Sequence, residues 1–221
     1  MTSTAHLFST SITSAKIGGP RPRVFLDDLR TACRAVAQTD ARGQAWSEDA
    51  GYKGYTSYAS LTDLTRRDPV FGALQKKLDR HVAAFARELD FDLGRKRLKL
   101  DSIWVNVLAP GGVHSGHIHP HSVVSGTTYV ELPNGAAALQ FEDPRLVMMM
   151  AAPVRTDDAA EESRPFIKLA PEVGEVVAGV AVVRRGGAED QLPVALARRV
   201  VLGHLGPGEL LVREPEEVRR E

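Results

Sequence analysis

Disulfides are excluded at once. The 221-residue chain has one cysteine, Cys33, so neither an intrachain bridge nor a thiolate metal cage can form. Charge of one sign is also missing, since 28 Lys and Arg balance 28 Asp and Glu. That balance removes the bulk electrostatic drive toward nucleic acid or an anionic membrane surface. No apolar run approaches the roughly 20 residues that cross a bilayer. The opening "MTSTAHLFSTSITSAKIGG" has no basic segment followed by an apolar core, which argues against a secretory signal. These absences predict a cytoplasmic protein whose partner is a small molecule or another protein, with no nucleic acid and no membrane. One further shortage is local: no aromatic residue follows Phe166, and no Ser, Thr or Asn follows Ser163.

What is present changes character along the chain. Residues 5–17 read as an extended segment. "PRVFLDDLRTACRAVAQTDA" places Phe25, Leu29, Cys33 and Val36 at helical spacing behind Pro22, which predicts a helix. The next stretch, "RGQAWSEDAGYKGYTSYASL", has no clear period and reads as a long loop. Its Trp46, Tyr52, Tyr55 and Tyr58 are expected to cover the core, with substrate contact as the alternative. A second helix follows Asp68-Pro69, with Phe71, Leu74, Leu78, Val82, Phe85 and Leu89 in one stripe, His81 at its border and Gly94 as its stop.

From Leu98 the pattern becomes β. "LKLDSIWVNVLAP", "SVVSGTTYVELP" with a turn at 133–135, "AALQFEDP" and "RPFIKLAPEVGEVV" read as successive short strands. Helices first and strands afterwards predict an α+β domain with an antiparallel sheet or barrel core. Two smaller features have plain readings. Asp143 and Arg145 of "FEDPR" suit a local ion pair at a strand-end turn, and Met148, Met149 and Met150 suit flexible apolar packing.

Between the first two strands lies "GGVHSGHIHPHSVVSG", which holds His114, His117, His119 and His121 out of only seven histidines. His117 and His119 are two apart, so in extended chain both rings leave the same face, close enough to share one ion. Neutral imidazole ligates iron, copper, nickel and zinc. Gly111, Gly112 and Gly116 let the backbone bend around a site, and Pro120 interrupts the strand. His114 and His121 read as surface residues, with a supporting or substrate-contact role as the alternative.

The blocks "GYTSYASLTDLTRRDPVF", "IWVNVLAPGGVHSGHIHPHSVVSGTTYVELPNGAAALQFEDPRL" and "APEVGEVV" resemble the bacterial and phage 2-oxoglutarate/Fe(II) oxygenases. The likeness runs from about Leu7 to Val177. It implies a double-stranded β-helix (jelly-roll) core carrying N-terminal helices, with Fe(II) as metal and 2-oxoglutarate as cosubstrate. The implied function is a dioxygenase that hydroxylates a small molecule or amino-acid side chain. The resemblance puts His117 at the first ligand position and His119 where most of the superfamily has a carboxylate. A third imidazole and a basic anchor for the cosubstrate should follow on late strands. Asn106, on a strand entering the site, is a candidate contact for 2-oxoglutarate.

After "APEVGEVV" the chain departs from that pattern. The expected tryptophan, histidine and arginine give way to a tail of Ala, Gly, Val, Arg, Pro, Glu and Leu. GC-rich DNA read in a shifted frame produces such a composition, and reading the gene's other frames past codon 177 tests this. The competing reading is a diverged C-terminus with His204 as third ligand and Arg198 or Arg199 as the anchor. The chain therefore divides into an oxygenase-like domain, 1–177, and a divergent tail, 178–221, with the last strands expected to be incomplete and a sheet edge unpaired. Activity stays open for the same reason. Two rivals remain. A cupin shares the barrel and the His-x-His pair after Gly111, yet Val123 and Val124 stand where its glutamate belongs. The other is a non-catalytic jelly-roll binding protein. A serine hydrolase fares worse, because neither Ser122 nor Ser125 sits in a nucleophile elbow.

Overall fold

Proline opens both long helices. In the computed structural model, residues 2–5, 7–119, 121–133, 139–179, 182–185 and 194–203 are described, the last two stretches as backbone only. α1 (Pro22–Thr39) starts at Pro22, where the absent N–H has no intrahelical acceptor to miss. Directly behind it, α2 (Ala41–Asp49) corrects the long-loop reading of residues 42–61. Asp40 caps α2 by accepting from the Gly43 amide at 3.0 Å. Gly43 in its first turn, and a polar face all round, are why periodicity did not reveal it. After the short strand β2 (Gly54–Thr56) and the one-turn α3 (Leu64–Arg67) comes α4 (Pro69–Glu88). Asp68 caps it by accepting from Val70 at 2.8 Å.

α4 buries Phe71, Leu74, Leu78, Val82 and Phe85, the predicted stripe, with His81 half-buried beside it. It ends before Gly94. Asp90 takes φ 52°, and the Asp90 and Phe91 amides close onto Arg87 and Ala86, each at 3.1 Å. That paired closure satisfies the last carbonyls without glycine.

The N-terminal strand β1 (Ile12–Lys16) and the later strands build two antiparallel sheets. These are β3 (Arg97–Leu108), β4 (His114–His117), β5 (Val124–Glu131), β6 (Leu139–Glu142), β7 (Phe166–Leu169), β8 (Glu175–Gly179), β9 (Val182–Arg185) and β10 (Val194–Gly203). The larger sheet runs β1-β8-β5-β10-β3-β2 and the smaller β4-β9-β6-β7. The predicted α+β class with an antiparallel core holds. One face of the larger sheet carries the helices, where Ile103, Val105, Val124, Val130, Val176 and Ala178 meet the stripes of α1 and α4. Leu139, Phe141 and Val177 form a second, smaller core between the sheets.

The expected incompleteness of the last strands is corrected at the level of the backbone. β10 pairs with both β3 and β5, and β9 pairs with both β4 and β6. Ladder formation needs only backbone donors and acceptors on a chain without interior proline, and "VALARRVVLG" supplies these despite its lack of aromatics. The predicted ion pair is also present, with Arg145 bonding both oxygens of Asp143 at 2.9 Å. The methionines differ from expectation. Met148 and Met150 are 87% and 85% exposed on the 3₁₀ turn Leu146–Met149, so these two pack against nothing. Pro120, and positions 134 and 135 of the predicted turn, lie outside the described residues.

Candidate metal centre

Alternation along β3 sets the floor of the site. Ile103 and Val105 face the helices, so Trp104 and Asn106 project from the opposite face. β4 brings His114 and His117 to the edge of the smaller sheet. Two residues on, the chain reverses: the Ser122 amide bonds the His119 carbonyl at 3.2 Å, and His121 takes φ 63°. This reversal lays the His119 ring against His117, with centroids 4.8 Å apart.

The two Nε2 atoms face each other at 3.1 Å. Imidazole nitrogens bond divalent transition metals at about 2.1 Å, so two nitrogens at right angles on one ion lie about 3 Å apart. The observed separation matches that bite. His117 Nδ1 lies 2.8 Å from the Ser115 carbonyl. A carbonyl can only accept, so Nδ1 carries the proton and Nε2 keeps its lone pair toward His119. His119 is held from its other side by Trp104, edge-to-face at 5.6 Å, and Trp104 is held in turn by Tyr58 at 5.3 Å.

The remaining histidines are placed differently. His114 meets His117 edge-to-face with centroids 4.7 Å apart, and its Nδ1 is hydrogen-bonded to the Tyr52 hydroxyl at 3.1 Å. It supports the pair from outside instead of lying free on the surface. His121 is exposed in the turn. On the inner side of the pair, a void of about 20 Å³ is enclosed with Ser125, Thr127, Phe141 and Val177. On the outer side a cavity of about 600 Å³ opens, lined by Trp46, Tyr52, Lys53, Tyr58 and Trp104. Of the four aromatics expected to cover the core, only Tyr55 does so; it is 7% exposed. The other three turn to the cavity because α2 and β2 present them there. Lys53 carried no signal in the sequence that could have singled it out.

Asn106 is 2% exposed, and neither its amide oxygen nor its amide nitrogen has a hydrogen-bond partner among the described residues. An unsatisfied buried amide costs about 1–3 kcal/mol, so Asn106 is, among the described residues, a buried polar group with bonding capacity to spare. Arg199 lies in β10 with its backbone in register between Ser102 of β3 and Ser125 of β5. Its side chain, and His204 altogether, lie outside the described residues. Among the described residues, no three His, Cys, Asp or Glu side chains converge on one point. No described helix is long and apolar enough to cross a membrane.

Comparison with known proteins bears on this geometry. Residues 102–178, about a third of the chain, match the family described as "Putative 2OG-Fe(II) oxygenase", and the resemblance read from the sequence is thereby shown for that segment. No curated protein matches the chain in sequence. Solved structures with a similar fold include three oxygenases. HygX from Streptomyces hygroscopicus, solved with nickel and 2-oxoglutarate, aligns over 87% of this chain and 83% of its own at 12% identity and TM-score 0.55. The viral collagen prolyl hydroxylase of Paramecium Bursaria Chlorella virus-1, solved with 2-oxoglutarate, aligns over 86% and 94% at 9% identity and TM-score 0.52. A Pseudomonas putida prolyl-4-hydroxylase aligns over 86% and 93% at 12% identity and TM-score 0.50.

Proposed function

We propose that this chain is a 2-oxoglutarate/Fe(II)-dependent dioxygenase on a double-stranded β-helix, hydroxylating a small molecule or an amino-acid side chain. The observation that carries the reading is the 3.1 Å approach of the His117 and His119 Nε2 atoms. Strand order supports the β-helix, since β3, β5, β8 and β10 fall in one sheet and β4, β6, β7 and β9 in the other.

His117 and His119 would hold the iron, with His204 as third ligand. The bound metal would supply activation of dioxygen on the face that the imidazoles leave open. The protein's own contributions are positional. The Ser115 carbonyl keeps His117 in the ligating tautomer. Trp104 fixes the orientation of the His119 ring by its edge-to-face contact. The orphaned Asn106 amide would bond 2-oxoglutarate, and Arg199, in register with Ser125 on the void beside the histidines, would pair with its distal carboxylate. On this reading the divergent tail still closes the barrel through β9 and β10, and a lone, buried Cys33 suits a reducing cytoplasm.

Anaerobic addition of Fe(II) and then 2-oxoglutarate to the purified chain tests the proposal. Stoichiometric uptake of both, followed by 2-oxoglutarate-dependent oxygen consumption, is expected. Iron uptake without cosubstrate dependence would favour a cupin-like metal barrel. No iron uptake would leave a non-catalytic binding protein, a reading favoured by the missing third ligand among the described residues.

A further inference from the structure

The large cavity beside the histidines has a one-sided chemistry. Trp46, Tyr58, Val113 and Ile118 stand around its mouth and are 40%, 62%, 63% and 62% exposed. A contiguous exposed apolar rim of this kind marks a binding surface. Trp104 closes the wall behind them, held edge-to-face by Tyr58. Among the described residues, no Asp or Glu lines the cavity, and Lys53 is its one Lys or Arg. Lys53 makes no ion pair with any described residue, and its Nζ lies beside Gly111, which also lines the cavity.

We propose that the substrate taken at this site is a small organic anion with a flat apolar body. Its ring system lies between Trp46, Tyr58 and Trp104, and its carboxylate or similar group pairs with Lys53. The inference names a substrate class for the oxygenase reading and rests on it only for the chemistry that would follow binding. Volume sets the size: at about 30 Å³ per water of liquid volume, a cavity of about 600 Å³ holds on the order of twenty non-hydrogen atoms. Charge sets the sign. Aromatic walls also receive cations, but a cation here would meet Lys53 with no carboxylate among the described lining residues to offset the repulsion. An anion gains an ion pair at the rim and loses nothing at the wall.

Both tryptophans of the chain, Trp46 and Trp104, line this cavity, so intrinsic fluorescence reports on it directly. The probes are 3-phenylpropanoate, its amide and its amine, titrated into the full chain in EDTA without 2-oxoglutarate. Saturable fluorescence change is expected, tightest for the carboxylate and weakest for the amine. Lys53→Gln should weaken the carboxylate about fivefold to tenfold, the scale of a rim charge pair, and leave the amide unchanged. Tyr58→Leu, at an exposed position that tolerates substitution, should weaken all three. Equal or tighter binding of the amine, or a Lys53→Gln variant indistinguishable from the parent, would overturn the proposal. So would displacement of the probe by 2-oxoglutarate, since Lys53 would then be the cosubstrate's anchor. Metal-free measurement keeps the two readings apart: loss of iron uptake leaves this binding intact, and loss of this binding leaves iron uptake intact.

Discussion

The Tyr55 hydroxyl donates to the Asp40 carboxylate at 2.7 Å, tying the start of α2 to the strand that opens the cavity wall. Ser60 donates to the same oxygen and the Gly43 amide to the other. Burial pushes the Asp40 carboxyl upward, but the bonds from Ser60, Tyr55 and Gly43, with the Arg67 charge, hold it below its ordinary value. A carboxyl lowered in the fold stabilises above its unfolded range, near 4, and that contribution disappears as pH falls through the lower folded value. Asp40→Ala should therefore cost about 2–3 kcal/mol at neutral pH, read by urea denaturation, and the deficit should shrink on acidification. A deficit constant down to pH 2 would show that the ionised carboxylate contributes nothing.

The Tyr55 phenol shifts the opposite way, raised by burial first and then by its bond to Asp40. As pH passes about 10, the unfolded chain ionises while the folded one does not, so stability falls with rising pH. Tyr55→Phe should lose about 1 kcal/mol near neutrality and show a flatter alkaline limb. An unchanged alkaline limb would place the titration elsewhere.

On the proposed reading, metal binding should divide the histidines. His117→Ala should abolish uptake of Ni(II) or Co(II) followed by calorimetry, and His114→Ala should weaken it by less than about tenfold, because His114 acts through its edge-to-face contact with His117 and its Tyr52 bond. His119→Asp should retain uptake, since a carboxylate is an ordinary ligand for such ions. The His117 and His119 rings are only half-buried, so melting temperatures should change little. Equal losses for His114→Ala and His117→Ala would mean that the ion sits elsewhere.

How far these features were legible in the sequence depends on the range of the interactions that create them. The stripe of α4 and the alternation of β3 are local patterns, and the helix and strand appeared where periodicity placed them. His117 and His119 could be paired by counting to two. α2 was not visible, because its cap and its Ser47–Gly43 bond do not show as periodicity. The inner positions of β9 and β10 were hidden for a different reason. Pairing across more than sixty residues, as in Arg199 with Ser125, leaves no trace in composition, and the tail's odd residue usage pointed the other way. The cavity wall needed α2 and β2 in place before Trp46 and Tyr58 could be separated from Tyr55.

Asn106 sets stability against function. Its amide is buried without partners among the described residues, so Asn106→Leu removes a desolvation cost while roughly keeping volume. Stability should rise by about 1 kcal/mol in urea denaturation, and 2-oxoglutarate affinity should fall at least about tenfold. A variant that is less stable, with cosubstrate binding intact, would assign Asn106 to packing alone.

Gly54 is where the cavity wall can be broken without touching a lining side chain. It adopts φ 141°, and a Cβ there would run into the Val107 carbonyl oxygen and the Leu108 backbone. Both obstacles belong to β3, the strand Gly54 pairs with, so neither can rotate aside. An alanine must push β2 off β3, and the Lys53 carbonyl then loses the Ala109 amide it accepts at 3.1 Å. Gly54→Ala should therefore cost about 2–4 kcal/mol and red-shift the emission of Trp46 and Trp104 as water enters the cavity. Metal uptake by His117 and His119 should survive, because β4 is paired with β9 and not with β2. A stable Gly54→Ala with parental emission would mean that β2 does not lie against β3 in solution, and the wall built on it would have to be redrawn.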